Sequence, residues 1–275
     1  MGDRFRSADV SREADMDFFT SRDGTTIGCE KAGSGPPLLL VHGTTADHRR
    51  WAGITPKLAR QFTVYAMDRR GRGGSTDAPD YHLIREAEDV AAVVDGIGGP
   101  VRIVGHSYGA VCSLEATLLT DNVDRMILYE PPIPSDLPVY PPGVPERMQT
   151  LIDTGEREAA LEAFFREVVR MPDHEFVQYR ALPMWKSRIE LAPTIPRELA
   201  IDRIYTFDTN KFADVQVPTL LLLGGDSPAL FQRGIEAVHA ALPKSAVTTL
   251  PGQQHIAMDT DPELFLEVAT GFLTD

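Results

Sequence analysis

Short apolar runs alternate with longer amphipathic stretches along most of the chain. Residues 38–41 and 219–223 have the length of a strand and almost no polar position, which is typical of strands buried on both faces of a parallel sheet. Residues 46–61, 83–97 and 229–242 instead repeat their apolar positions at helical spacing and predict helices. With the remaining strand-like runs, this alternation predicts an α/β fold: a mostly parallel, eight-stranded sheet flanked by helices.

The alternation stops at a proline-rich stretch, residues 130–138, and resumes only at Pro218. The intervening chain holds helical patterns separated by prolines and no buried strand run. We therefore predict an inserted helical cap over residues 133–214, within a core formed by residues 1–132 and 215–275. The predicted cap helices are residues 145–153, 156–171 and 173–185.

Composition narrows the possible environment and partners. The 275 residues carry a net charge of −13, which argues against a nucleic-acid partner because phosphate binding needs a basic surface. No apolar run approaches the ~18 residues of a membrane span, and residues 1–16 are charged and predict a loosely ordered arm rather than a signal peptide. Cys29 and Cys112 do not form a disulfide framework. We expect a cytoplasmic protein without a membrane partner, and a homodimer is possible.

The most informative motif follows the apolar run at residues 101–104. It reads Gly105-His106-Ser107-Tyr108-Gly109, and a helical pattern begins immediately after it. A G-x-S-x-G motif between a strand and a helix is typical of a nucleophilic serine on a sharp turn. The flanking glycines allow the backbones of the strand and the helix to approach each other closely. Ser107 is therefore the candidate nucleophile.

A nucleophilic serine needs a base and donors for the developing oxyanion. Of seven histidines, His255 lies on the loop after the last predicted strand, at the carboxyl edge of the sheet. The backbone N–H of Tyr108 is one predicted oxyanion donor. The N–H of Thr44, in the loop after the strand ending at Val41, is the other.

Four motifs in this order resemble the α/β-hydrolase superfamily. They are His42-Gly43, the loop at residues 68–75, the serine motif at residues 105–109 and the loop at residues 252–255. The similarity is greatest to the capped serine esterase, haloperoxidase-like and epoxide-hydrolase-like branches. It implies an α/β-hydrolase fold and a catalytic triad in the order serine, acid, histidine. Epoxide hydrolases and haloalkane dehalogenases carry aspartate where this chain has Ser107, which speaks against those two activities.

The sequence leaves two candidates for the triad acid. Asp226 follows the seventh predicted strand but is out of register by one residue relative to the usual pattern of the family. Glu130 ends the sixth predicted strand, where some members of the family place the acid, and its extra methylene lengthens its reach. Both residues remain candidates on the sequence alone.

These features predict a serine hydrolase that cleaves an ester, lactone or thioester of a small, mainly apolar molecule through an acyl-enzyme on Ser107. No cofactor and no metal are expected, since dinucleotide, Walker and zinc motifs are missing from the sequence. Aromatic residues of the predicted cap, such as Phe164 and Tyr179, are expected to form its core and partly to roof the pocket. The same triad could instead support C–C hydrolysis, acyl transfer, perhydrolysis or a cyclisation. A third hypothesis is a non-catalytic ligand-binding protein.

Overall fold

The computed structural model describes residues 15–133, 140–200 and 205–275. Residues 1–14 of the predicted polar arm lie outside this range. Asp15 and Met16, the two arm residues that are described, already belong to the first strand. Parts of the predicted cap, residues 134–139 and 201–204, are likewise outside the described residues.

Eight strands form one sheet in the order β1-β2-β4-β3-β5-β6-β7-β8. Strand β2 pairs antiparallel with β1 and with β4, and every other neighbouring pair is parallel. The predicted mostly parallel, eight-stranded α/β-hydrolase sheet is thus confirmed. The strands are β1 Asp15–Thr20, β2 Thr26–Ala32, β3 Pro37–Val41, β4 Thr63–Met67, β5 Val101–His106, β6 Val123–Tyr129, β7 Thr219–Gly224 and β8 Ser245–Leu250.

Burial on both faces explains the uninterrupted apolar character of the central strands. Leu38 and Leu40 of β3 enter the apolar core on one face of the sheet, whereas Leu39 and Val41 enter the core on the other. All four side chains are fully buried. Successive side chains of a strand point to opposite faces, so a strand covered by helices on both sides has no position for a polar residue.

The helices cover the sheet and fill the connection between β6 and β7. None of those in the described residues is both long and apolar enough to cross a bilayer. They are α1 Thr55–Leu58, α2 Leu83–Ile97, α3 Tyr108–Ala116, α4 Val144–Asp153, α5 Arg157–Ala163, α6 Asp173–Arg180, α7 Trp185–Leu191, α8 Ile195–Leu199, α9 Ala229–Ala241, α10 Ala257–Thr260 and α11 Pro262–Thr274.

Two helical patterns of the β6–β7 connection are divided more finely than the sequence predicts. The pattern at residues 156–171 becomes α5 followed by a π-helical turn, Phe164–Val168. The pattern at residues 173–185 ends with α6, and α7 begins at Trp185. Pro183 stands between them, and a proline disfavours helical geometry in the residue before it.

The predicted helix over residues 46–61 is wrong. The structure has a 3₁₀ turn, His48–Trp51, and then the short helix α1. Pro56 lies in the first turn of α1, the one place in a helix where a missing N–H removes no hydrogen bond. A continuous helix would bring the Pro56 ring against the carbonyl one turn earlier, so the chain begins a new helix there.

Candidate active site

Ser107 occupies a strained turn between β5 and α3. Its φ of 55° and ψ of −125° lie in a region that costs a residue with a Cβ on the order of 1–3 kcal/mol. A Cβ on Gly105 would stand 2.7 Å from Cα of Ala110, and one on Gly109 would overlap the carbonyl oxygen of His42. The two motif glycines are therefore required by the close approach of backbone on both sides of Ser107.

His255 meets a buried carboxylate after β8. Its Nδ1 lies 2.6 Å from Oε2 of Glu130, and Glu130 is fully buried. The other carboxylate oxygen, Oε1, accepts a hydrogen bond of 2.7 Å from the backbone N–H of Gly224. Both oxygens are thus held, and the imidazole of His255 is oriented by one of them.

The structure brings Glu130, and not Asp226, to His255. Asp226 is exposed, and its backbone N–H donates to the carbonyl of Gln253 at 3.0 Å. No hydrogen bond joins its carboxylate to His255 in the described part of the chain. Glu130 itself has a φ of 47°, and this turn at the end of β6, with the longer glutamate side chain, lets the carboxylate reach the loop after β8.

Two side chains that the sequence did not identify hold His255 in place. Phe231 of α9 stacks on the imidazole, with ring centroids 4.3 Å apart and planes 17° apart. Nε2 of His106 lies 2.8 Å from the backbone carbonyl of His255. Burial, together with the charges of His255 and Arg50, holds the pKa of His106 well below its ordinary value. His106 is therefore neutral and donates to this carbonyl from Nε2. The position of His106 inside the serine motif could have identified it from the sequence. Nothing in the sequence around Phe231 points to its contact with His255.

The two predicted oxyanion donors flank Ser107. Thr44 and Tyr108 line the same cavity as Ser107 and His255. The Tyr108 N–H belongs to the first residue of α3, where backbone N–H groups have no partner within the helix. Thr44 precedes Thr45, whose φ is 60°.

His42 fixes the loop that carries Thr44. The backbone N–H of Arg69 donates to His42 Nε2 at 3.2 Å, so Nδ1 carries the proton and donates to the carbonyl of Gly43 at 2.8 Å. Burial and the nearby charges of Arg69 and Arg72 hold the pKa of His42 well below its ordinary value. The ring therefore remains neutral.

The arginines of the loop after β4 form buried ion pairs with neighbouring helices. Arg69 binds Glu86 of α2 through two nitrogens, at 2.7 and 3.0 Å. Arg69 and Arg72 also bind Glu198 of α8. All four side chains are buried, so the loop joins the sheet to the helical segment between β6 and β7.

Two adjoining cavities open on Ser107 and His255. Phe164, from the segment predicted as a cap, lines both. The first cavity is mainly apolar and is completed by Pro132, Val168, Val169, Leu199, Leu230 and Phe231. The second also contains cationic side chains, Arg50 and Arg188.

One group of side chains has the spacing of metal ligands. The ligand atoms of Asp47, His48 and Asp68 lie within 4.8 Å of one another. Asp68 accepts from His48 Nδ1 at 2.8 Å and from the Gly74 N–H at 2.8 Å, and Asp47 is paired with Arg49. These side chains are already engaged with groups of the protein.

Comparison with known proteins agrees with the fold and the motifs. The model of the Alpha/beta hydrolase family matches residues 38–268. The chain belongs to this family. The resemblance inferred from the four motifs is confirmed, and the chain is an α/β-hydrolase-type enzyme.

Its relatives include hydrolases of several kinds. An α/β hydrolase from Sphaerobacter thermophilus is 35% identical, with a TM-score of 0.82 over 94% of this chain and 100% of that one. A 2-(acetamidomethylene)succinate hydrolase from Mesorhizobium japonicum is 24% identical over 96% of this chain and 99% of its own length. An esterase from Rhodococcus has the same fold, with a TM-score of 0.73 at 22% identity, covering 94% of this chain and 98% of that one.

Proposed function

We propose that this enzyme is a serine hydrolase that cleaves an acyl bond through an acyl-enzyme on Ser107. The observation that carries the proposal is the buried Glu130 carboxylate on Nδ1 of His255, which lines one cavity with Ser107 on its strained turn. A carboxylate on Nδ1 keeps the proton on that nitrogen and leaves Nε2 free to act as a base. Asp226 has no part in this proposal.

The reaction follows from these roles. Ser107 Oγ attacks the carbonyl carbon while its proton passes to His255 Nε2, and the carbonyl π electrons move to the oxygen. The N–H groups of Tyr108 and Thr44 bind that oxyanion; loss of one such donor typically costs ~2.7–4 kcal/mol of transition-state stabilisation. When the oxyanion collapses, the leaving group departs with the proton of His255. Water then repeats the sequence on the acyl-enzyme and releases the acid.

The lining of the first cavity indicates the character of the substrate. Its mainly apolar walls suit an ester, lactone or thioester of a small, mainly apolar molecule. We infer that residues 133–214 act as a cap over this cavity, because Phe164, Val168 and Leu199 of this segment face Ser107 across it. Apolar walls exclude water and strengthen the interactions of the developing charge.

Labelling with a fluorophosphonate tests the nucleophile. We expect intact-mass analysis of the wild type to show one adduct, mapped to Ser107. Ser107→Ala should take up none, and Ser245→Ala, at the amino end of β8, should label like the wild type. No adduct on the folded wild type would contradict the proposal and favour the ligand-binding hypothesis.

A further inference from the structure

Arg188 of α7 is a buried cation that has no carboxylate partner among the described residues. Its residue exposure is 5%, and its Nη1 donates to the carbonyl oxygen of Thr45 at 3.1 Å and to Thr45 Oγ1 at 2.8 Å. Among residues 15–133, 140–200 and 205–275, no carboxylate lies within 4 Å of the guanidinium. Neutral hydrogen bonds do not offset the cost of burying a charge.

Other buried arginines of the protein are each paired with a carboxylate. Arg69 is paired with Glu86 at 2.7 Å, Arg70 with Asp89 at 2.7 Å, and Arg50 with Asp259 at 2.7 Å. The carboxylates whose charge reaches Arg188 are those of Asp259 and Asp47. Both already have arginine partners, Arg50 and Arg49. Burial, with the like charge of Arg50, lowers the pKa of Arg188, so its neighbours do not compensate for its charge.

Arg188 lines a cavity that also contains the reaction centre. Arg188 and Arg50 line the second cavity together with Ser107 and His255. Arg50 is also buried, and its Nη2 has no hydrogen-bond partner among the residues that the structure describes. The wall of the second cavity therefore combines two arginine side chains, one with no carboxylate partner in the described chain and one with a spare donor, with the nucleophile and the base.

We propose that the second cavity is a subsite for a carboxylate of the substrate, bound by Arg188 with the help of Arg50. A guanidinium matches the planar geometry of a carboxylate and can bind both of its oxygens. The proposal rests on the proposed function and makes it more specific. The acyl bond is held at Ser107, an apolar group occupies the first cavity and a carboxylate occupies the second.

A purely structural role for Arg188 gives a different expectation. Its guanidinium lies 5.6 Å from the ring centre of Phe165 and 5.1 Å from that of Tyr179, and it supports the loop at Thr45. If these contacts were its whole role, replacing Arg188 would lower turnover of charged and neutral substrates alike.

Matched pairs of esters distinguish the two roles. The first pair is the monophenyl ester of glutaric acid and its primary amide, with the carboxylate on the acyl side. The second is 4-acetoxybenzoate and 4-acetoxybenzamide, with the carboxylate on the leaving group. We expect the wild type to prefer the carboxylate in at least one pair by roughly tenfold or more in kcat/KM, since hydrogen bonds to charged groups are the stronger class. Equal kcat/KM values in both pairs would overturn the proposal.

Variants assign the preference to Arg188. In Arg188→Gln we expect it to fall to about one, with turnover of the amides changed less than that of the acids. Arg180→Gln is the control, because Arg180 is an exposed arginine of the same segment that is paired with Glu158 and Glu162; it should keep the preference. A preference that persists in Arg188→Gln would contradict the assignment. If that variant does not fold, Arg188→Lys should fold and show a reduced preference.

Direct binding separates this proposal from the proposed function. Calorimetric titration with glutarate should show binding to the wild type and weaker binding to the Arg188 variant that folds, whether or not esters are turned over. Labelling by the neutral fluorophosphonate should persist in that variant. Failure of labelling with retained glutarate binding would remove the hydrolase mechanism alone, whereas labelling without glutarate binding or carboxylate preference would remove the subsite alone.

Discussion

Glu130 holds two groups with one carboxylate. One oxygen accepts from His255 Nδ1 and the other from the Gly224 N–H, so the side chain cannot turn away without breaking a buried hydrogen bond. A buried acceptor or donor left without its partner costs about 1–3 kcal/mol. The orientation of His255 is thus maintained by the backbone of β7 as well as by charge.

Replacing Glu130 by glutamine removes the charge of the side chain and keeps its shape, so it should show how much of the activity depends on the charge. In Glu130→Gln, we expect kcat for ester hydrolysis to fall about 10³–10⁴-fold, because a neutral amide no longer stabilises the imidazolium and permits the wrong tautomer. Steady-state kinetics with a phenyl ester measure this. Asp226→Asn is the matched control and should stay within about twofold of the wild type. The reverse order of effects would assign the acid to Asp226.

Individual residues differ in how far the sequence could predict them. That Ser107 and His255 line one cavity was predictable, because a motif or a position after a strand defines each. Which carboxylate contacts His255 was not, because the choice between Glu130 and Asp226 depends on a backbone turn, φ of 47° at Glu130, that no residue type in the sequence specifies. Arg188 was also beyond prediction, since its importance comes from what surrounds it.

The serine turn depends on how closely α3 approaches the strand beside β5. A Cβ at Gly109 would overlap the carbonyl oxygens of Val41 and His42, which are backbone atoms at the end of β3 and in the loop after it. Those atoms cannot move without shifting the Thr44 loop. The packing of α3 and the position of the predicted oxyanion donor are therefore coupled.

Gly109→Ala should disturb both the packing of α3 and the position of the Thr44 loop. We expect a loss of about 1–3 kcal/mol in the free energy of unfolding, the usual cost of overpacking, and slower labelling of Ser107. Urea denaturation and labelling rates measure the two effects. Gly271→Ala provides the control, because a Cβ there meets no atom within 4 Å in the helix α11, and should stabilise by ~0.5–1 kcal/mol. Equal stability of the two variants would contradict this account.

Elements with a strong pattern were predicted well, and those shaped by local interruptions were not. The buried strands and α2 follow directly from the spacing of apolar residues. The π-helical turn at Phe164–Val168 and the division of residues 46–61 do not, because spacing alone does not reveal where a proline or a packing contact changes the helix.

At the scale of the whole molecule, Glu198 connects two parts of the chain. It lies on α8 and binds Arg69 and Arg72 from the loop after β4. All three side chains are buried. The helical segment between β6 and β7 is thus joined to the sheet by an ionic cluster. Glu198, a member of this cluster, also lines the first cavity.

Removing the charge of Glu198 should weaken the whole protein. We expect Glu198→Gln to lower the free energy of unfolding by about 3–5 kcal/mol, since loss of one partner leaves a buried charge uncompensated. Urea denaturation measures the loss. Glu236→Gln, which breaks an exposed pair with Arg233, should cost at most ~1 kcal/mol. A loss for Glu198→Gln no larger than that of this control would show that the cluster does not hold the two parts together.

Because Glu130 supplies the carboxylate that contacts His255, the loop between β7 and α9 does not have to supply one. Gly224, the last residue of β7, contacts Glu130 through its N–H, and residues 225–228 make no hydrogen bond to the imidazole in the described structure. The exposed side chain of Asp226 can therefore be varied with activity intact. The length of the turn cannot, because the N–H groups of Gly225 and Asp226 bind the carbonyls of Leu250 and Gln253, at the end of β8 and in the loop that leads to His255.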